Sequence, residues 1–118
     1  MGAQALSLAV ESALHLSGTV HGHGGTEMQA GIAEAVICVA LLWGAIGLAR
    51  GGAAGWRIAM GTTIFAVAGF CLGLTITVPS GYVPDIAYHA TVLPILVVTF
   101  ALIVGSRPFA DAQVAEHG

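Results

Sequence analysis

Three stretches of this chain are each long enough and apolar enough to cross a lipid bilayer as an α-helix. They are residues 31–49, 56–78 and 86–105, and a helical span needs about 20 such residues. Of the 118 residues in the chain, 57% are hydrophobic and only 8% are charged. Soluble domains carry about 25% charged residues, so the sequence predicts an integral membrane protein.

The segments that join these spans are short. "RGGAAGW" follows the first span and "PSGYVPD" follows the second, and both are rich in residues that form turns. Connections of this length leave consecutive helices side by side, so the spans are predicted to be antiparallel neighbours. We divide the chain into an arm with a hinge at 1–27, a three-helix transmembrane domain at 28–107, and a short tail at 108–118.

The arginines predict how the protein is oriented. The chain has no lysine, Arg50 and Arg57 flank the first connection, and Arg107 follows the third span. All three fall on one side of a three-span arrangement, and the positive-inside rule places that side in the cytoplasm. The prediction is a multi-pass protein of the cell (inner) membrane of a bacterium, with its N-terminus outside and its C-terminus in the cytoplasm. So few basic residues argue against nucleic-acid binding.

Residues 3–18 have the pattern of an amphipathic helix. Gln4, Ser7, Glu11 and His15 share one face, and apolar residues cover most of the rest. Such a helix can lie on the outer membrane surface with its polar stripe in water, or it can pack the stripe against protein as a partly inserted fourth helix. We expect the surface position. The predicted fold class is an all-α membrane protein with three transmembrane helices preceded by an N-terminal amphipathic, interfacial helix.

Small residues line one side of each of the first two spans. They are Ala33, Ala40, Gly44 and Gly47 in the first span and Thr62, Ala66, Gly69, Gly73 and Thr77 in the second. Helices in lipid associate where small residues let their backbones approach, so these two stripes are expected to face each other. The alternative is that one stripe contacts another copy or another protein. Pro94 predicts a kink in the third span.

Histidines and acids gather at the outer face of this arrangement. The candidate metal ligands are His15, His21, His23, His89, Glu11, Glu27, Glu34 and Asp85. Imidazole with carboxylate suits a transition metal such as zinc, copper or iron. The other two interpretations are polar pairs at the membrane interface without an ion, and a site that handles protons.

Two pairs of these candidates are spaced for contact within one helix. Glu11 and His15 are four residues apart, as are Asp85 and His89, so each acid can share one side of a helix with its histidine. A metal site needs three or four groups to converge. The arm would therefore have to fold back over the outer ends of the first and third spans, and the glycines of "HGHGG" give the chain freedom for that turn.

Glu34 stands one helical turn inside the first span. An acid inside a span is costly and by default faces protein or water and has a partner. The alternative is a position near the headgroups, where a carboxylate suits the N-terminal end of a helix. The sequence does not decide between these two interpretations.

No hydrolase nucleophile with its base, phosphate loop or nucleotide fingerprint occurs in the sequence, so the chain is not predicted to be an enzyme on its own. Polar residues are sparse along the depth of the spans, which argues against a conduction path. We therefore expect a small membrane subunit of a larger respiratory, oxygenase or transport complex. Its partners would be the lipid bilayer and other membrane subunits or copies of itself. The alternatives are a homo-oligomeric metal-ion or proton transporter or channel, and a membrane metalloenzyme subunit.

Overall fold

In a computed structural model, residues 1–18 and 27–108 are described, and this part of the chain forms four helices. They are α1 (Gly2–Leu16), α2 (Glu27–Arg50), α3 (Gly52–Ser80) and α4 (Val83–Gly105). The predicted all-helical fold is confirmed for these residues. Three of the helices, α2, α3 and α4, are long and apolar enough to cross a membrane, as the sequence predicts.

The connections between the spans are shorter than the sequence suggests. Gly51 alone separates α2 from α3, so most of the predicted turn at residues 50–56 is helical. Gly51 and Gly52 have φ values of 74° and 73°, a region that glycine enters without the penalty of a Cβ. At the other end of α3, Gly81 has a φ of 70° and ends the helix in the left-handed conformation.

The backbones of α2 and α3 meet through glycine. A Cβ on Gly55 would collide with the carbonyl of Gly47, and a Cβ on Gly47 would lie 2.9 Å from the carbonyl oxygen of Gly55. Gly44 faces the side chain of Thr62, which lies two turns after Gly55 along α3. The small residues of the first span therefore do meet α3 at these points, but the tightest contact uses Gly55, which lies outside the predicted stripe of the second span.

The glycine pair of the second span divides between two neighbours. A Cβ on Gly69 would lie 2.6 Å from Cδ1 of Ile37 in α2, and a Cβ on Gly73 would lie 2.6 Å from Nε2 of His89 in α4. Of the other predicted packing residues, Ala66 is fully buried and Ala40 is half-buried. The two stripes therefore face each other only in part, because Gly73 is turned toward α4.

Helix α1 runs antiparallel along α2. Met1 lies against Gly44, whereas Ser12 Oγ donates a hydrogen bond of 2.8 Å to the carbonyl of Gly31. Between these contacts α1 follows α2 for about 20 Å at 1.5 Å per residue. Met1 therefore lies beside Gly44, six residues before Arg50 at the end of α2, whereas the Leu16 end of α1 lies where α2 begins.

The polar stripe of α1 faces other helices. Gln4 and His15 are each 7% exposed, and Ser7 and Glu11 are half-buried. The prediction that this stripe lies in water is wrong, and the alternative of a helix that packs its stripe against protein is the observed arrangement. The physical reason is that α4 supplies hydrogen-bond partners, among them Thr99, whose Oγ1 accepts a bond of 3.0 Å from Gln4 Nε2.

All four helices contribute to one apolar core. Leu8, Leu41, Phe70 and Leu96 come from α1 to α4 in order, and each is at most 2% exposed. Large apolar side chains also cover the outside of the bundle, which is compatible with contact with lipid. Because α1 supplies a core residue, it belongs to the bundle as much as the three long helices do.

The bundle has two chemically different ends. At one end, where α1 finishes and α2 and α4 begin, lie the described candidate ligands, and we call this the outer end. At the other end Trp56 Nε1 donates a bond of 2.7 Å to the carbonyl of Ile103, and the guanidinium of Arg107 lies 5.8 Å from the Trp56 ring centroid. Arg50 and Arg57 lie near this second end, which we call the arginine end.

Candidate metal centre at the outer end

Three side chains from three helices converge at the outer end. His15 of α1, Glu34 of α2 and Asp85 of α4 each offer one ligand atom, and these atoms lie within 4.8 Å of one another. His15 Nδ1 is 2.9 Å from Glu34 Oε2. The side chains of these two residues are only 6% and 8% exposed, whereas Asp85 is half-buried. We call these three residues the outer cluster.

The helix packing explains why these residues meet. His15 lies in the last turn of α1 and Glu34 lies two turns into α2. Because α1 runs antiparallel along α2 and is held in register by the bond from Ser12 to Gly31, His15 is brought opposite Glu34. Asp85 lies in the first turn of α4 and approaches from the other side.

The protonation of His15 follows from its hydrogen bonds. Nδ1 is 2.9 Å from Glu34 Oε2 and 3.1 Å from the backbone carbonyl oxygen of Glu11. Both neighbours are acceptors, so Nδ1 carries the proton in this arrangement. A metal ion bound between the imidazole and the carboxylate would take the place of that proton at Nδ1, and the neutral ring would carry its proton on Nε2 instead.

His89 lies next to the outer cluster and holds Asp85. Its Nδ1 is 3.2 Å from Asp85 Oδ1 and 2.9 Å from the Asp85 backbone oxygen. The ring centroid of His89 is 5.0 Å from that of Phe70, and the ring lies against Gly73, where no Cβ is present. The imidazole is therefore fixed by packing and can orient the carboxyl group of Asp85, as the second layer of groups does around many metal sites.

A partly open cleft of about 160 Å³ lies beside the outer cluster. Its lining residues are Glu11, Leu14, His15, Tyr82, Pro84 and Asp85. The cleft gives water or a small ion a route to His15 and Asp85. It would also leave a coordination position open on an ion held by three protein ligands, as in many catalytic zinc sites.

The structure brings some of the predicted ligands together and leaves others undescribed. His15, Glu34, Asp85 and His89 are neighbours at the outer end, and Glu11 lines the cleft. The predicted pairing of Asp85 with His89 is present. The side chain of His15 instead contacts Glu34 on another helix and meets only the backbone of Glu11. His21, His23 and the side chain of Glu27 lie outside what the structure describes.

Gly73 shapes this site in a way that the sequence does not reveal. Its place in the small stripe predicts contact between the first two spans, but in the structure it makes room for the ring of His89. A spacing of four residues separates Gly73 from Gly69, and that spacing is the same whichever neighbour a glycine faces. Only the position of α4 shows its role.

No protein-family model, no curated protein and no solved structure matches this chain. The indications of its function are the outer cluster and the bundle that holds it.

Proposed function

We propose that this protein is a small integral membrane subunit that binds one divalent transition-metal ion at the outer end of its bundle. The observation that carries the proposal is the convergence of His15, Glu34 and Asp85 from three separate helices. One imidazole and two carboxylates form a donor set suited to zinc or ferrous iron, and copper is the third candidate. The site would hold the ion with three protein ligands and an open position toward the cleft.

The charges at this site also favour a cation. Glu34 is 6% exposed and lies inside a candidate span, and Asp85 offers a second carboxyl group to the same small volume. Two ionised carboxylates this close repel each other strongly in surroundings of low dielectric constant. A divalent ion would neutralise both, and His89 would keep Asp85 in place for it.

A proton-handling site is the second candidate function. It is favoured by the bond of 2.9 Å between His15 Nδ1 and Glu34 Oε2, through which a proton can pass between imidazole and carboxylate. The two candidates differ in what occupies the site. Only the first requires a stoichiometric metal ion.

The wider role remains that of a subunit of a respiratory, oxygenase or transport complex in a bacterial inner membrane. What supports it is the apolar outside of the bundle, on which Trp43 is 63% exposed and Leu102 is 69% exposed. Such surfaces suit lipid, other membrane subunits or copies of the same chain. A metal-ion transporter and a metalloenzyme subunit are the alternatives that share the same site.

The metal proposal predicts about one equivalent of zinc in the purified, zinc-loaded protein, because three convergent ligands make one site. His15→Ala should retain less than about a tenth of an equivalent, since it removes the only nitrogen ligand of the cluster. Elemental analysis after gel filtration measures both. The control is Cys71→Ser, which removes an exposed thiol that is not part of the cluster and should keep its zinc.

The heat of zinc binding provides a second measurement on the unaltered protein. The unaltered protein should give a single binding isotherm with a stoichiometry of about one, and His15→Ala should remove most of the heat. Less than about a tenth of an equivalent in the unaltered protein would reject the metal site, because a site of this kind fills under loading. The proton-handling candidate would then stand alone.

The topology proposal predicts that residues 22 and 113 lie on opposite sides of the membrane, because three spans separate them and all three arginines lie at one end. We expect Gly22→Cys to react with an impermeant thiol reagent from outside and Gln113→Cys only after the cells are opened. Cys38→Ser/Cys71→Ser is the background for both. Labelling of both positions from the same side would mean an even number of spans and would reject the topology.

A further inference from the structure

Helices α1 and α4 meet in a different way from the other neighbours. Within the described ranges, close backbone packing joins α1 to α2, α2 to α3 and α3 to α4. Polar side chains bridge α1 and α4 instead. Ser7 Oγ lies 3.2 Å from the hydroxyl of Tyr88, and Gln4 Nε2 donates a bond of 3.0 Å to Thr99 Oγ1.

This polar interface continues the outer cluster into the depth of the bundle. Along α1 the polar residues run from His15 through Glu11 and Ser7 to Gln4, a distance of about 16 Å along the helix axis. The three spans by themselves carry too few polar residues for a conduction path. The structure adds the stripe of α1, which supplies them from outside the spans.

At the deep end of this interface, the side-chain oxygen of Gln4 accepts no hydrogen bond from the described residues. The residue is 7% exposed, and its Oε1 is buried with no hydrogen-bond partner among the described residues. A buried acceptor without a donor is unfavourable, and within a bilayer no solvent outside the protein can supply one. A water molecule is the smallest donor that would satisfy it.

The two ends of the interface differ in access. At the outer end it meets the partly open cleft, which Glu11 and Asp85 line. Toward the arginine end α1 stops at Met1, which lies half-buried against Gly44 of α2. The interface is therefore open at the outer cleft and ends where α1 ends.

We propose that the α1–α4 interface is a water-filled half-channel that opens at the outer cleft, ends at Gln4 and Thr99, and admits small cations and protons in preference to anions. The preference follows from the mouth, where Glu11, Glu34 and Asp85 concentrate acidic groups. The half-channel does not depend on a bound metal ion. It gives protons access to the interior of the bundle from one side only.

The first test measures water contact in the unaltered protein, reconstituted in lipid bilayers with a chelator present. Water-edited solid-state NMR should transfer polarisation from water to Thr99 several-fold faster than to Thr63. These threonines are matched, because each donates its hydroxyl to the carbonyl four residues earlier, and Thr63 lies in the core with 0% exposure. Equal transfer to both would overturn the half-channel.

The second test measures charge selectivity with a cysteine at Ser7 in the Cys38→Ser/Cys71→Ser background. Ser7→Cys should react with a cationic methanethiosulfonate much faster than with an anionic one, relative to the same ratio for Gly18→Cys. Adding Glu11→Gln should reduce that preference. Leu6→Cys should react slowly with both reagents, because Leu6 is 69% exposed on the apolar outside of the bundle, where lipid would cover it.

Different outcomes would reject different parts of this proposal. A Ser7→Cys protein that reacts no faster than Leu6→Cys would contradict a water-filled path, whereas equal rates with the two reagents would remove the cation preference. Both measurements are made without metal. Loss of zinc binding alone would leave this proposal intact, and a dry interface would leave the metal proposal intact.

Discussion

Replacing His15 with leucine should destabilise the folded bundle by about 2–3 kcal/mol, the upper part of the usual cost of leaving a buried hydrogen-bonding group without its partner. Glu34 is 6% exposed, and its Oε2 would lose the imidazole that lies 2.9 Å away. The lost interaction also joins α1 to α2, so unfolding should begin with α1. Reversible unfolding in mixed detergent micelles, followed by circular dichroism, measures the change.

The control for this result is the double variant His15→Leu/Glu34→Leu, which removes both members of the pair. Replacing both members of a buried polar pair by apolar residues of similar volume is often close to neutral. We therefore expect the double variant to recover most of the lost stability while it still binds no zinc. A single variant that loses less than about 1 kcal/mol would show that Glu34 has another partner or is solvated.

This comparison separates two reasons for an acid and a histidine inside a membrane bundle. If the pair served only to hold α1 in place, the apolar double variant would hold α1 equally well. Recovery of stability without recovery of metal binding would mean that the chemistry of His15 and Glu34, and not the fold, requires these residues. That outcome would support the metal site and the proton-handling site alike, and zinc stoichiometry would decide between them.

The three spans could be predicted from the sequence because apolar length is a local property. The residues from 31 to 49 apart from Glu34, for example, are all apolar or glycine, and such a run favours lipid or a protein interior whatever its neighbours are. The position of α1 could not be predicted in the same way. A stripe of Gln4, Ser7, Glu11 and His15 looks identical whether it faces water or another helix, and its partner Thr99 is 95 residues away from Gln4.

In the candidate site, too, contacts within one helix could be predicted from the sequence and contacts between helices could not. A spacing of four residues predicted the contact between Asp85 and His89, because both residues lie within one helix. The same rule paired His15 with Glu11, whereas the side chain of His15 contacts Glu34, 19 residues later on the neighbouring helix. Contacts between helices depend on register, and the register of α1 on α2 becomes visible only in contacts such as that of Ser12 with Gly31.

The sequence and the structure also differ on which glycines make the closest contacts between α2 and α3. The spacing of Gly69 and Gly73 marks them as the packing pair of α3. In the structure a Cβ on Gly69 meets the far end of the Ile37 side chain, which can move, and a Cβ on Gly73 meets the packed ring of His89. At Gly55 the same Cβ meets the backbone of α2 at Gly47, and a helix backbone cannot move without shifting the whole helix.

Gly55→Leu should therefore destabilise the bundle by about 3 kcal/mol, the upper part of the usual range for overpacking, and Gly69→Leu by about 1 kcal/mol. Gly61→Leu is the matched control on the same helix, because nothing lies within 4 Å of a Cβ there. It should be neutral or stabilising by up to about 1 kcal/mol, since leucine favours helix more than glycine does. The same unfolding measurement ranks all three variants. An effect at Gly69 larger than that at Gly55 would contradict the packing of α2 on α3, because the backbones would then approach most closely near the middle of α3 and not at its first turn.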